Sequence, residues 1–202
     1  MRKRRRAIFW VVKHKNLFIN SIPNRNLRTT KILAKSVIFE QSLMILRKEQ
    51  LIDYWEVENL YDVCFTYTRL SLSSYRLREN VKPISDLCFV AREETNNLFA
   101  AIRYWPIKIG THPSLLLGPI AVHPTRQGEG HARYIINHSL TKAELLGWEV
   151  VILIGDLSYY HQFNFNIAKN LNFPQPTNKK RILIKSLNHF NTDGLKGTVN
   201  KY

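Results

Sequence analysis

The sequence has little cysteine and no long apolar run. Only Cys64 and Cys88 occur among 202 residues, and they share neither a CxxC nor a Cys/His ligand spacing. A disulfide scaffold and a structural zinc site are therefore not expected, and no metal is assigned. No apolar stretch approaches the ~20 residues that a membrane-spanning helix needs, which argues against an integral membrane protein. Acid is missing from one end: residues 1–39 hold eleven Lys and Arg but no Asp or Glu, and the first acid is Glu40. Residues 40–202 carry nineteen basic and fifteen acidic side chains, so the formal charge of +15 describes the N-terminal stretch more than the rest. Apolar material is not lacking. At 45% hydrophobic and 11% aromatic residues, the chain can fill the core of one ordinary domain. The expected class is a soluble, cytoplasmic globular protein.

Three readings of the basic stretch, residues 1–43, stand side by side. It is a nucleic-acid-binding arm held by phosphate contacts, a targeting segment, or a disordered, solvated extension. A secretory signal fits poorly, because Ala7–Val12 is a short apolar run ended by Lys13 with no small-residue cleavage site. The solvated extension is preferred, with translation starting at Met44 and a domain spanning 44–202.

From residue 43 onward the pattern alternates strands and helices. Leu43–Arg47 reads as a strand and 50–65 as a helix whose apolar positions are Leu51, Ile52, Trp55, Val57, Leu60, Val63 and Cys64. Residues 71–79 read as a short helix, and Leu87–Arg92 and Leu98–Ile109 as a hairpin turning at Asn96 and Asn97. Leu115–Val122 is an apolar strand interrupted by Gly118-Pro119. A helix over 128–146 is closed by Gly147. Val150–Ile154 is an unbroken apolar run suited to a strand buried on both faces. A helix near 158–170 and a strand near Arg181–Ser186 follow. The order implies an α/β fold with a mixed sheet.

The chemistry concentrates between Gly118 and Phe165. After the apolar strand, Gln127-Gly128-Glu129-Gly130-His131-Ala132 opens directly into a helix. Gly128 and Gly130 permit a tight bend, and the free N–H groups at a helix start form an anion site suited to a pyrophosphate. Neither a Walker loop nor a full GxGxxG is present.

Gln127–Ala132 resembles the Q-x-x-G-x-G/A motif of the GNAT (Gcn5-related) N-acetyltransferases. Tyr160-His161-Gln162-Phe163-Asn164-Phe165 is similar to that family's Tyr-x-x-x-Gly-Phe, with Asn164 in the glycine position. The stretches Leu115–Val122 and Gly155–Phe165 resemble a bacterial subgroup of acetyltransferases. The resemblance covers about 44–202. It implies a mixed, mostly antiparallel sheet with a central, splayed parallel strand pair flanked by helices, and acetyl-CoA as co-substrate. It implies that Ile120, Ala121 and Val122 hold the pantetheine and a nearby backbone N–H the oxyanion. Gln127, Gly128, Glu129, Gly130, His131 and Ala132 would hold the pyrophosphate, with Arg126 and Arg133 as added charge. Tyr160 would protonate the leaving thiolate, with Tyr159 as fallback. Glu129 and His131 depart from the residues usual at their positions, and the charge of Glu129 would oppose a phosphate unless it turns to solvent.

The general base is left open among His123, His112, Glu93, Glu94 and a water relay. Trp55, Tyr61, Tyr67, Tyr75, Arg76, Arg103, Tyr104 and Trp105 are candidates to line the acceptor site. The acceptor itself, an amine of a small molecule or a protein, is not identified. The reading is an acetyl-CoA-dependent N-acetyltransferase. Its alternative is an inert scaffold of the same fold that binds nucleic acid or ribosome through residues 1–40.

Overall fold

A computed structural model describes residues 44–202. The basic stretch 1–43 and the first residue of the expected N-terminal strand lie outside the described residues. The strands are β1 (Ile45–Lys48), β2 (Phe89–Arg92), β3 (Leu98–Ile109), β4 (His112–Val122), β5 (Val150–Ile154), β6 (Asn166–Ile167), β7 (Leu171–Asn172), β8 (Ile182–Ser186) and β9 (Gly197–Lys201). The helices are α1 (Tyr54–Phe65), α2 (Ser73–Arg76), α3 (His131–Leu145) and α4 (Leu157–Tyr160). The main sheet runs β1-β2-β3-β4-β5-β8-β6, with β9 pairing β3 and β7. Within that run β4–β5 is parallel and the other pairs are antiparallel, as expected from the motif order.

Period-2 alternation divides the core between the two sheet faces. Phe89, Ala91, Ala100, Ile102, Leu115 and Leu117 turn to α3, whose Ile135, Ile136, Leu140 and Ala143 repeat at helical spacing. Val90, Ala101 and Ala121 turn the other way, and their small side chains let Val57, Leu60 and Tyr61 of α1 lie close to the sheet. Leu116, Val150 and Ile152 continue that second face under Leu171, Phe173 and Val199.

Several expectations are corrected here. The α-helix expected over 50–65 begins at Tyr54, after a 3₁₀ turn over Leu51–Asp53, and Leu51, Ile52, Trp55 and Val63 are exposed. Helix α3 begins at His131 and not at 128, because Gly128 and Gly130 both take left-handed φ values, +84° and +86°. The helix expected over 158–170 ends by Phe163, where Asn164 takes φ 64° and ψ 30° and stops it. The hairpin turns on Asn96 at φ 69° and not on Asn97. Strands β6, β7 and β9 were not anticipated, since none contains an apolar run; β9 buries only Val199.

One buried carboxylate ties β1 and β2 to the start of α1. Asp53 accepts from Arg47 at 2.5 and 2.7 Å, from Arg92 at 2.7 Å and from the Gln50 amide at 2.8 Å. Burial raises its pKa, but hydrogen bonds from Arg47, Gln50 and Arg92 outweigh that and hold the carboxyl well below the usual range. A depressed folded-state value means that the stabilisation is complete above the unfolded value of ~3.9 and is lost as pH falls below it. Thermal melts between pH 6 and 2 are therefore expected to show a fall in Tm below about pH 4. Asp53→Asn should start from a lower Tm and show a shallower fall.

Candidate active site

The site begins with a kink in β4. Gly118 takes φ +128°, a conformation that side chains disfavour, and its peptide to Pro119 is cis. Two side chains pin the kink. The Trp105 indole donates to the Gly118 carbonyl at 2.8 Å, and the buried Tyr61 hydroxyl donates to the Pro119 carbonyl at 3.3 Å. Pro119 lacks an N–H for the ladder, and the parallel pairing of β4 with β5 extends only over Leu115–Val151 and Leu116–Ile152. Beyond those pairs the strands enclose a cleft of about 630 Å³ lined by Leu117, Ile120, Leu153, Gly155 and Tyr160, among others.

The register decides which main-chain groups face that cleft. The His123 amide donates to the Phe99 carbonyl of the β3 side at 2.7 Å. In a strand, alternate residues point alternate ways, so Ala121 also spends its N–H and C=O on β3. Ile120 and Val122 present theirs to the opposite edge. Of the three residues expected to hold pantetheine, Ile120 and Val122 thus turn their main-chain groups away from β3, with the Val122 carbonyl already accepting from the Gln127 side-chain amide and the Cys64 thiol. Ala121 faces the ladder with its backbone and α1 with its methyl group.

At the far end of β4 the loop is built as its glycines suggested. The Gln127 side-chain amide donates to the Val122 carbonyl at 2.9 Å, closing the turn. Gly130 caps α3 in the left-handed conformation, and the first backbone bond inside the helix runs from Tyr134 to Gly130. The N–H groups of His131 and Ala132 at the helix start precede that bond. Glu129 does not stand alone beside them. It accepts from Arg126 at 2.9 Å and bonds to His131 at 2.8 Å, and these two partners hold its carboxyl below the usual range. Arg126 also pairs with Glu93 and lies 4.6 Å from the Phe99 ring. It is thus engaged in this network, while Arg133 is exposed.

Tyr160 ends α4 and turns its ring into the cleft, against Phe165 and Tyr159 at centroid distances of 5.9 and 5.0 Å. Burial, with Tyr159 and Asp156 nearby, pushes its phenol up to about 12. Sequence reasoning missed the residue that makes room for it. A Cβ on Gly155 would lie 2.3 Å from Cε2 of Tyr160 and 2.9 Å from Cδ1 of Leu153. The glycine was visible in the sequence, but only the fold shows what passes over it.

A second cavity of about 760 Å³ opens on the α1 side of the kink and shares Arg69, Tyr75, Arg78 and Pro119 with the first. Of the aromatic and basic residues expected to line an acceptor site, Tyr61, Tyr75, Arg103 and Trp105 line this cavity. Trp55, Tyr67 and Arg76 are not among its walls, and Tyr104 lies in the core on the α3 side, bonded to Ser139 at 2.8 Å. Glu49, Glu58, Arg69 and Arg78 line it and were not anticipated. Both oxygens of Glu49 accept from Arg103, and Glu58 bridges Arg103 and Arg69. None of the side chains considered as general base reaches either cavity. His112 stacks on Phe190 and His123 bonds to Thr125. Glu93 pairs with Arg126, and Glu94 is exposed.

A mixed sheet whose parallel pair opens over a cleft, with a glycine-bent loop entering a helix beside it, is the architecture of the acyl-CoA N-acyltransferases. The chain belongs to the acetyltransferase (GNAT) family, whose model matches residues 54–165. It is similar in structure to the GNAT family N-acetyltransferase YhbS from Escherichia coli, solved in complex with CoA. That likeness has 21% identity and a TM-score of 0.68 and covers 79% of this chain and 89% of that one. A GNAT family acetyltransferase from Brucella melitensis, in complex with acetyl-CoA, is similar at 24% identity and a TM-score of 0.60, covering 80% and 97%. The ribosomal-protein-S18-alanine N-acetyltransferase from Escherichia coli follows at 15% and 0.54, covering 75% and 98%. At these identities the likeness is one of fold. No curated protein matches the chain.

Proposed function

We propose that this chain transfers an acetyl group from acetyl-CoA to a primary amine, with both substrates bound together. The observation that supports this most is the parting of β4 from β5 beyond Leu116 and Ile152, where Ile120 and Val122 turn their main-chain groups away from β3. An extended amide chain can add to such an edge as a further strand. The helix start at His131 and Ala132 offers unspent N–H groups at the positive end of a dipole, which suits a pyrophosphate. The Glu129 carboxylate is engaged by Arg126 and His131.

Acetyl-CoA supplies an activated thioester. The chain supplies position, an oxyanion donor and a proton. The Ile120 N–H polarises the acyl carbonyl. As the amine nitrogen bonds to the acyl carbon, the carbon–sulfur bond breaks and its electron pair leaves on sulfur. The Tyr160 hydroxyl protonates that sulfur, which its raised pKa permits across the neutral range. The nitrogen loses one proton to water, and water returns one to Tyr160.

Calorimetric titration of acetyl-CoA into the full chain tests the reading, with Gly130→Trp as the comparison. A Cβ at Gly130 meets nothing within 4 Å, so ~1–2 kcal/mol of left-handed strain is the backbone cost, and circular dichroism checks that the variant is folded. Micromolar binding to the natural chain is expected, weakened at least ~100-fold in the variant by a side chain lying over the helix start. No binding by the folded natural chain overturns the proposal.

A further inference from the structure

Arg78 stands apart from the other buried arginines. Arg69 is held by Glu58 and Asp62, Arg92 by Asp53 and Glu56, and Arg103 by Glu49 and Glu58. Among the described residues no carboxylate pairs with Arg78, although the residue is only 9% exposed. Its Nε and Nη1 are buried with no hydrogen-bond partner. Aromatic rings hold it in place: its guanidinium carbon is 4.4 Å from the Tyr75 ring centroid and 5.8 Å from that of Trp105. Burial lowers its pKa to about 10, which still leaves it charged at neutral pH. A buried cation without a counter-ion is costly, and folded proteins supply a partner from the chain or from a ligand.

Its position says which ligand. Arg78 lines both cavities where they meet at Pro119, and its Nη2 is 3.3 Å from where a Cβ of Gly118 would stand. If acetyl transfer occurs at this kink, the proposed function places the neutral thioester there and the phosphates at the far end of the cleft, by His131. Neither neutralises Arg78, so the anion comes with the acceptor. We propose that the acceptor is an amino acid, a small amine with a carboxylate one or two carbons from its nitrogen, and that Arg78 binds that carboxylate. The closeness of the charge to the kink sets this spacing. The ε-amine of a protein lysine has no carboxylate so near, and the N-terminus of a peptide has one only where its first residue is aspartate. The second cavity, walled by Tyr54, Tyr61, Tyr75 and Trp105, receives the remainder of the molecule.

This inference rests on the acetyl-transfer reading, and its test separates the two. Full-length chain and acetyl-CoA are incubated with each of the twenty common amino acids, with their amides and decarboxylated amines, and with a lysine-bearing peptide. Release of CoA thiol is followed, with calorimetry of acetyl-CoA binding alongside. At least one amino acid is expected to be acetylated, with kcat/KM at least ~100-fold above its amide and its amine. Arg78→Met should raise the KM for that amino acid by about 100-fold and leave the KM for acetyl-CoA unchanged. The comparison of acid with amide uses only the natural chain, so it stands even if the variant misfolds. Acetyl-CoA binding with no amino acid acetylated, with amides or the peptide used equally well, or with Arg78→Met weakening acetyl-CoA instead, overturns the Arg78 assignment and leaves acetyl transfer standing. Absence of acetyl-CoA binding removes both.

Discussion

Tyr160→Phe is expected to lower kcat by about 10³-fold at pH 7, within the range that a positioned general acid contributes. The KM for acetyl-CoA should stay close to that of the natural chain, because the lost hydroxyl acts on the leaving sulfur and the ring that lines the cleft remains. The pH dependence makes the role specific. The phenol is pushed up to about 12 by its burial, so the natural enzyme should not lose its acid on the alkaline side within the working range. In the variant the thiolate must depart unprotonated. Expulsion of an unprotonated thiolate does not depend on the pH of the solution, so with the acid retained in the natural enzyme the defect should persist undiminished across that range. Rate profiles from pH 6 to 10 for both proteins check this. A loss of less than about tenfold would show a ring that only packs. Tyr159→Phe is the control: its ring is 40% exposed and meets Tyr160 edge-on, and its removal is expected to cost less than tenfold.

What the sequence made legible follows from how local each signal is. Strands β3 and β5 were read at their observed ends, because an apolar run bounded by turn residues is contained within the run. The loop at Gly128 and Gly130 was readable for the same reason, as left-handed backbone leaves its mark in glycine. Asn164 marks its turn similarly, since asparagine tolerates that conformation better than other side chains. Contacts made only by the fold left no such mark. Arg78 is one arginine in a polar stretch, and its meaning depends on Gly118, forty residues on, and on carboxylates that pair with its neighbours instead. The apolar residues just before α1 and in its first turn misled for a related reason. Leu51, Ile52 and Trp55 fit a helical pattern, but the sheet beneath α1 is covered by Val57, Leu60 and Tyr61, with Cys64 packed beside them. The base candidates failed likewise: His112 and His123 lie at opposite ends of β4, outside both cavities.

Gly155→Ala should slow catalysis by about 100-fold, although the glycine itself takes no part in the chemistry. The added methyl would stand 2.3 Å from Cε2 and 2.7 Å from Cδ2 of Tyr160, well inside contact distance, and 2.9 Å from Cδ1 of Leu153. The tyrosine ring must yield, since the glycine sits at the end of β5, where its amide is fixed by the Arg181 carbonyl at 2.9 Å. A displacement of about 1 Å in a catalytic group is enough for a loss of that order. The loss should fall on kcat, as the loop around Gly130 and the main-chain edge at Ile120 and Val122 are not involved. A double-mutant cycle distinguishes this from general damage to the core. If the methyl acts by misplacing the Tyr160 hydroxyl, Gly155→Ala adds almost nothing to Tyr160→Phe, because the group it misplaces is already gone. Additive losses would instead mean that Gly155 serves the cleft in some way other than through that hydroxyl. Circular dichroism and thermal melts on all three variants confirm that the comparison is made between folded proteins.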